Sequence, residues 1–334
     1  MKLKLLFVLP CAADAARGNA TTANRLASSL RQKKHTVAVC SLEELNKTQD
    51  HFDLVIACHA SHTAPQVREW CIANSSSYLV LFTGTDLNGK PSPATTQAVN
   101  DAQHCISLGS GPARRAKDLF PGARQRITVI HQGVMPLPRA SNTDLPDNFP
   151  TLSSDCELVL IPNGIRSIKN VKHSLDALVP LASERPQLVV CFAGSDFGGQ
   201  YSAEFMEAIS HHPWAHYFED LSIRELSAVI ANSKLAISSS RSEGGAPNSL
   251  LECIAAGRPV IASDIAPHRE LIGKQNCFRS DNEMRQLVRH VLDDQSHAIM
   301  LTRKLEEKVR FKHGANAEAL SWERLLLSIT AGRA

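Results

Sequence analysis

The stretch SSSRSEGGAPNSLLECIAAGRPVIASD, Ser238–Asp264, sets two carboxylates, Glu243 and Glu252, around a turn rich in Gly, Pro and Asn. Paired acids serve metal binding, acid–base chemistry or the gripping of hydroxyl groups. An ionised carboxylate only accepts hydrogen bonds and can take several, which matches the vicinal hydroxyls of a sugar. Each such charge-assisted bond is worth roughly 1.5–3 kcal/mol. Upstream, NGIRSIKNVKHSLDAL places Arg166 and Lys169 where an apolar run ends and a helical pattern begins. An arginine fork and a lysine beside a helix start suit a phosphate or diphosphate. In the opening stretch, LAISSS reads as a strand, RSEGGAP as a turn and NSLLECIAAG as a helix starting near Pro247 or Asn248. Asn248 is a reasonable cap and Gly257 a stop. Backbone N–H groups of that first turn, at Asn248 and Ser249, form a second anion site. Diphosphate donors flanked by two diol acceptors follow the order of parts in a nucleotide-diphosphate sugar: ribose, diphosphate, sugar.

These residues need a scaffold that holds strand ends side by side. Short apolar runs alternate with helical patterns from end to end: LKLLFVLP, TVAVCS, DLVIACHA, YLVLFTGT, HCISLG and ITVIHQG in the first half, then ELVLIPNG, QLVVCFAG, HYFED, LAISSS, RPVIASD and CFRSD. Runs this apolar suit strands buried on both faces, so the pattern predicts α/β domains with parallel sheets covered by helices. Between the two series, MPLPRASNTDLPDNFPTLSSD carries four prolines and reads as a linker. The expected domains are 1–135, a linker at 136–155, a second domain at 156–312 and a helix at 313–334 that packs back on the first. Ligands of such folds sit outside the carboxyl ends of the strands, which places a site in the cleft between two domains.

Composition narrows the field. The 334 residues carry 36 Lys and Arg against 33 Asp and Glu, and a net charge of +3 is too small for a nucleic-acid binder. Nine cysteines are scattered, most inside apolar runs, and predict buried reduced thiols. The start MKLKLLFVLPCAADA imitates a signal peptide, but its unbroken apolar core is only LLFVL. No run approaches the ~20 apolar residues of a membrane span. A cytoplasmic protein is expected.

The first half supplies further candidates. RGNATTANRLASSLRQKKH places Arg17, Gly18 and Asn19 between the first strand and first helix, where a small residue lets backbone approach a ligand. ACHASHT brings His59 and His62 to a strand end, and FTGTDLNGK brings Thr83, Thr85 and Asp86 to the next. His59 with His62, and His211 with His212 and His216, are of metal-ligand type, yet no further ligand of metal type is spaced to complete either set. No metal and no cofactor is expected. In LGSGPARR, Gly109 and Gly111 precede Arg114 and Arg115, which could help hold an anion, although an ordinary loop is the simpler reading.

SRSEGGAPNSLLECIAAGRPVIAS resembles the signature of retaining glycosyltransferases of family 4, which have the GT-B fold: two Rossmann-like doubly wound domains facing an inter-domain cleft. The resemblance implies that Glu243 contacts the donor sugar with Gly244, Gly245 and Ala246, that Glu252 contacts the ribose, and that Arg166 and Lys169 hold the diphosphate. Eight residues separate the two acids, one more than the family motif usually has, and the extra one belongs to the turn. GNATTA, TGTDL and SRSEGGA are most similar to the short selenosugar synthases of selenoneine biosynthesis, although SHTA stands where those have basic residues.

The resemblance implies retaining transfer of a sugar from UDP-GlcNAc or UDP-glucose to a small acceptor, selenophosphate being favoured. Arg166, Lys169 and the helix start would stabilise the departing diphosphate in place of a metal. Arg17, Asn19, His59, Thr85 and Asp86 would face the acceptor, and a hydroxyl acceptor would need His59 or Asp86 as its base. Rival readings are transfer to a glycan or natural-product hydroxyl, a nucleotide-sugar epimerase of the same fold, and a sugar-nucleotide-binding protein without activity.

Overall fold

A computed structural model describes residues 2–13, 18–48 and 50–331. Contacts divide it into two units: Met1–Met135 with Glu243–Ala246 and Lys312–Ala334, and Pro136–Ser242 with Pro247–Phe311.

The first unit is built on strands β1 (Lys4–Leu9), β2 (Thr36–Ser41), β3 (Leu54–Cys58), β4 (Tyr78–Phe82), β5 (His104–Ser107) and β6 (Ile127–Val129). All neighbours pair in parallel, in the order β2-β1-β3-β4-β5-β6. Side chains alternate across each strand, and both faces are covered, which is why the runs are apolar throughout. Leu6, Val8, Val55, Val80 and Phe82 pack on one face with Val67, Trp70 and Phe120. Leu5, Phe7, Ile56, Leu79 and Leu81 pack on the other with Leu26 and Leu30 of the helix Gly18–Gln32 and with Trp322 and Leu326 of the helix Ala315–Ala331. The chain's last helix thus completes this core. It is fastened by a buried bidentate pair, Arg25 Nε to Glu318 Oε2 at 2.9 Å and Arg25 Nη2 to Glu318 Oε1 at 3.0 Å. The Val134 N–H also donates to the His313 carbonyl at 2.7 Å.

The second unit holds β7 (Glu157–Ile161), β8 (Leu188–Ala193), β9 (Ala215–Phe218), β10 (Leu235–Ser238), β11 (Val260–Ser263) and β12 (Cys277–Phe278). Its parallel sheet runs β9-β8-β7-β10-β11-β12, the Rossmann order, with the direction of succession reversing between β7 and β10. The proline-rich segment expected as a linker lies along this unit. The Ser227 hydroxyl donates to the Pro138 carbonyl at 2.6 Å, Asn232 Nδ2 donates to Asn142 Oδ1 at 3.1 Å, and Phe149 stacks on Phe218 with centroids 5.1 Å apart. Prolines offer no N–H for a ladder, so side chains do the fastening.

All nine cysteines are free thiols, and all but Cys11 are buried. No helix among the described residues is long and apolar enough to cross a membrane.

Candidate functional site

In doubly wound sheets a ligand site forms where the strand order reverses, because the two connections leave the sheet in opposite directions and open a crevice. In the second unit that point lies between β7 and β10. The connection after β7 carries Arg166 and Lys169, and the one after β10 carries SSSRSEGGAPN. The two are stitched together. Asn163 Nδ2 donates to Ser238 Oγ at 3.4 Å. The Ser239 hydroxyl reaches the carbonyls of Lys169 and Asn170 at 3.1 and 2.9 Å, and the Arg241 N–H donates to the Ile168 carbonyl at 2.8 Å. The run of buried serines therefore fixes the backbone that presents both basic residues.

The helix Asn248–Ala255 begins beyond this turn. Asn248 is not its cap: Pro247 occupies the cap position and Asn248 is the first helical residue. Proline has no side-chain acceptor, so the cap residue itself makes no side-chain hydrogen bond to the first turn. Ser249 follows in the same turn, and Glu252 lies one turn further, half-buried. Gly257 ends the helix at φ +75°; its N–H and that of Arg258 close onto the carbonyls of Ile254 and Cys253 at 3.0 and 2.9 Å. Glu243, Gly244, Gly245 and Ala246 fall in the turn that groups with the first unit, and Glu243 is half-buried there.

One participant was missed by the sequence reading. The Arg166 guanidinium carbon sits 4.5 Å from the centroid of the Phe197 ring, a cation–π contact within the second unit. Phe197 comes from the connection after β8, whose backbone meets Ile165 through the Ile165 N–H to Ser195 carbonyl bond at 2.9 Å. Gly164 is required there, since a Cβ on it would lie 2.8 Å from the Phe197 ring. The signal was available in GSDFGGQ: an aromatic among glycines directly after a strand.

In the first unit the order reverses between β1 and β3. After β1, Gly18 opens the helix Gly18–Gln32 with open space where a Cβ would be, and Asn19 follows, half-buried. After β3 stands His59, buried, with a backbone φ of +136°. After β4 comes Asp86, also buried, whose Oδ2 accepts the N–H groups of Ala60 at 3.0 Å and Thr83 at 3.2 Å and whose Oδ1 accepts that of Gly84 at 2.9 Å. Asp86 therefore bridges the ends of β3 and β4. The Thr83 hydroxyl beside it is buried without a hydrogen-bond partner among the described residues. Burial leads the effects that lower the His59 pKa from 6.5; the Asp86 carboxylate opposes it and His62 reinforces it.

Two candidates cannot be placed: Arg17 and the side chain of Thr85 lie outside the described residues. Of the GSGPARR segment, Gly109 caps the helix Ser110–Leu119, Arg114 is exposed, and Arg115 donates to the Leu87 carbonyl. Arg115 is thus already engaged in holding the turn after β4. Among the described residues no group of three or more His, Cys, Asp or Glu is placed to hold a metal ion.

A family model described as glycosyl transferases group 1 matches residues 157–294, the stretch that carries Arg166, Lys169, Glu243 and Glu252. No curated protein sequence matches the chain. Among solved structures, it is similar to Anabaena HepE, crystallised with UDP and glucose, at a TM-score of 0.76 over 98% of this chain and 100% of that one, with 15% identity. A glycosyltransferase from Rickettsia africae is similar at a TM-score of 0.75, 15% identity and 98% coverage of each chain. The N-terminal domain of Candida albicans trehalose-6-phosphate phosphatase is similar at 0.72, with 11% identity, over 98% of this chain and 97% of that one. At these identities the likeness carries the fold, which is GT-B: two Rossmann-like α/β units, each with a parallel sheet. The difference in name of the third structure shows why an activity has to be argued from the site.

Proposed function

We propose that the chain is a retaining glycosyltransferase that moves a sugar from a nucleotide-diphosphate sugar to a small acceptor. The observation that carries this reading is the stitched switch point of the second unit. Ser239 and Arg241 bind the Arg166–Asn170 turn to the strand end that leads into the Glu243–Glu252 motif. Arg166 and Lys169 supply the charge for a diphosphate, the start of the helix Asn248–Ala255 supplies N–H groups, and Glu252 supplies acceptors for a ribose diol. A UDP-sugar, UDP-glucose or UDP-GlcNAc, is the favoured donor. HepE, at 14% identity, has also been crystallised with UDP-glucose, which supports a uridine donor.

The sugar leaves its diphosphate with the bonding electrons of the anomeric C–O bond passing to the departing UDP oxygen. Arg166, Lys169 and the helix start hold that growing charge without a metal ion. The acceptor adds to the same face of the sugar, so configuration is retained. Selenophosphate is the favoured acceptor; its selenium forms the new bond to the anomeric carbon and arrives already ionised.

The two acids divide the donor between them. Glu252→Ala is expected to weaken UDP and UDP-sugar alike, by about 1.5–3 kcal/mol for a lost charge-assisted bond. Glu243→Ala is expected to weaken the UDP-sugar and leave UDP within about twofold, since Glu243 serves the sugar. Titration calorimetry with both ligands on both variants reads this directly. Equal loss of UDP affinity in the two variants would reverse the assignment.

A further inference from the structure

The turn Glu243–Ala246 carries two successive glycines, and its backbone angles do not call for either. Neither Gly244 nor Gly245 has a φ in the left-handed region that favours glycine. What both positions require is the absence of a Cβ. One added to Gly244 would lie 2.5 Å from the Gly84 backbone nitrogen and closer still to the Gly84 Cα. One added to Gly245 would lie 2.9 Å from the Leu108 Cβ and 3.3 Å from the Leu108 carbonyl oxygen. Gly84 follows β4 and Leu108 follows β5, two strands that pair in parallel. The turn, which groups with the first unit, therefore rests its backbone on the ends of two neighbouring strands of that unit.

That platform cannot give way. The Gly84 N–H donates to Asp86 Oδ1 at 2.9 Å, and Asp86 Oδ2 accepts the N–H groups of Thr83 at 3.2 Å and Ala60 at 3.0 Å, which ties the loop to the end of β3. Arg115 holds the Leu87 carbonyl just beyond. Leu108 is 2% exposed and packs in the core with Leu81 and Ile106. Interiors packed this closely transmit a displacement rather than absorb it. An added Cβ must move the turn and not the strands beneath it.

We propose that Gly84 and Asp86 are positioning residues for the turn that carries Glu243: Asp86 fixes the Gly84 backbone, and Gly84 seats Gly244. This rests on the transferase reading, in which that turn meets the donor sugar, and deepens it. Arg166, Lys169 and Glu252 belong to the second unit, whereas the seat of the turn belongs to the first. Hold on the nucleotide and hold on the sugar are thus set by different parts of the chain. The seat governs the sugar and the rate of its transfer, and leaves the affinity for UDP alone.

Gly244→Ala is the first test. Misplacing an orienting group by about 1 Å can cost about 10²-fold, so kcat/KM for transfer from a UDP-sugar is expected to fall at least about tenfold, with UDP affinity by titration calorimetry within about twofold of native. The thermal midpoint is expected to stay near that of the native protein. Equal losses for UDP and UDP-sugar, or unchanged kinetics, would overturn the proposal. Gly89→Ala strains the same loop at φ +83°, where no atom stands within 4 Å of the added Cβ, and is expected to leave the kinetics near native. A loss there matching that of Gly244→Ala would put the effect in loop strain and sink the seat.

Asp86→Asn, whose amide offers one acceptor oxygen in place of two, is expected to show the same split between UDP and UDP-sugar. Both changes act through one seat, so the double variant is expected to be little worse than the worse single one. Additive losses would mean that Asp86 acts on its own and would remove its positioning role. In the unliganded protein, amide exchange over 243–246, followed by mass spectrometry, is expected to quicken in both variants while β3 and β4 keep native rates. Unaltered exchange in both would contradict the seat. Absence of transfer by the native protein to any acceptor would fail the transferase reading itself, and the exchange rates would still decide the seat.

Discussion

Arg166→Ala is expected to lower kcat/KM for sugar transfer by about 10²–10³-fold, the loss usual when one pre-aimed donor to a developing anion is removed. Three features make this residue the most costly to lose. It lies in the connection after β7, at the point where the sheet order reverses, and the residue before it is tied to the connection after β8 by the Ile165 N–H to Ser195 carbonyl bond at 2.9 Å. Its guanidinium lies on the Phe197 ring, which fixes the plane of the fork before a ligand arrives. The neighbouring Ser239 hydroxyl holds the turn that follows it through the Lys169 and Asn170 carbonyls. Arg166→Lys keeps the charge but loses the fork and most of the stacking, and is expected to recover only part of the rate. Phe197→Ala leaves the charge in place, so its effect on kcat/KM is expected to be smaller than that of Arg166→Ala. Steady-state kinetics with a UDP-sugar decides the matter, and a loss below about threefold for Arg166→Ala would remove it from the diphosphate role.

Glu318→Ala carries the largest expected effect on stability. The Arg25 and Glu318 side chains are 5% and 1% exposed, so deleting the acid strands a guanidinium in the first unit's core. Breaking a buried pair from one side costs about 3–5 kcal/mol, because the remaining charge keeps its desolvation penalty and loses its partner. The site has no room to adjust: a Cβ on Gly133 would stand 2.5 Å from Glu318 Oε2. Replacing both partners by apolar residues of similar size is expected to restore much of the loss. Denaturant unfolding, with hydrogen exchange in the helix Gly18–Gln32 as the local reading, measures each variant. A midpoint unaltered in Glu318→Ala would mean that the pair is not a stabilising contact.

How much of this was legible in the sequence depended on whether the cause was local. Each of the twelve apolar runs became a strand, because burial on both faces leaves its mark on every residue of the run. Arg166 and Lys169 stand out in the sequence because they follow a strand end before a helix, and the structure ties their turn to Ser239 of the second motif. Asn248 was misread as a cap. Its side chain suits that position, but Pro247 fixes the chain direction one residue earlier. What the sequence could not show were pairings across long separations: Arg25 with Glu318, the Asp86 carboxylate with Ala60, and the Phe197 ring with Arg166. Nor does a sequence print a backbone angle. His59 reads as an ordinary histidine at a strand end, and only its φ and the two N–H groups on Nδ1 mark it as constrained.

The transferase claim stands or falls on one assay. The protein is incubated with UDP-glucose or UDP-GlcNAc and, in separate reactions, with selenophosphate, thiophosphate and a panel of sugar and small-molecule hydroxyl acceptors; the products are resolved by mass spectrometry. The expected result is release of UDP together with a glycosylated selenophosphate or selenosugar, and no glycoside from the hydroxyl panel. Products from hydroxyl acceptors alone would contradict the anionic acceptor, and no glycosylated product from any reaction would contradict sugar transfer itself.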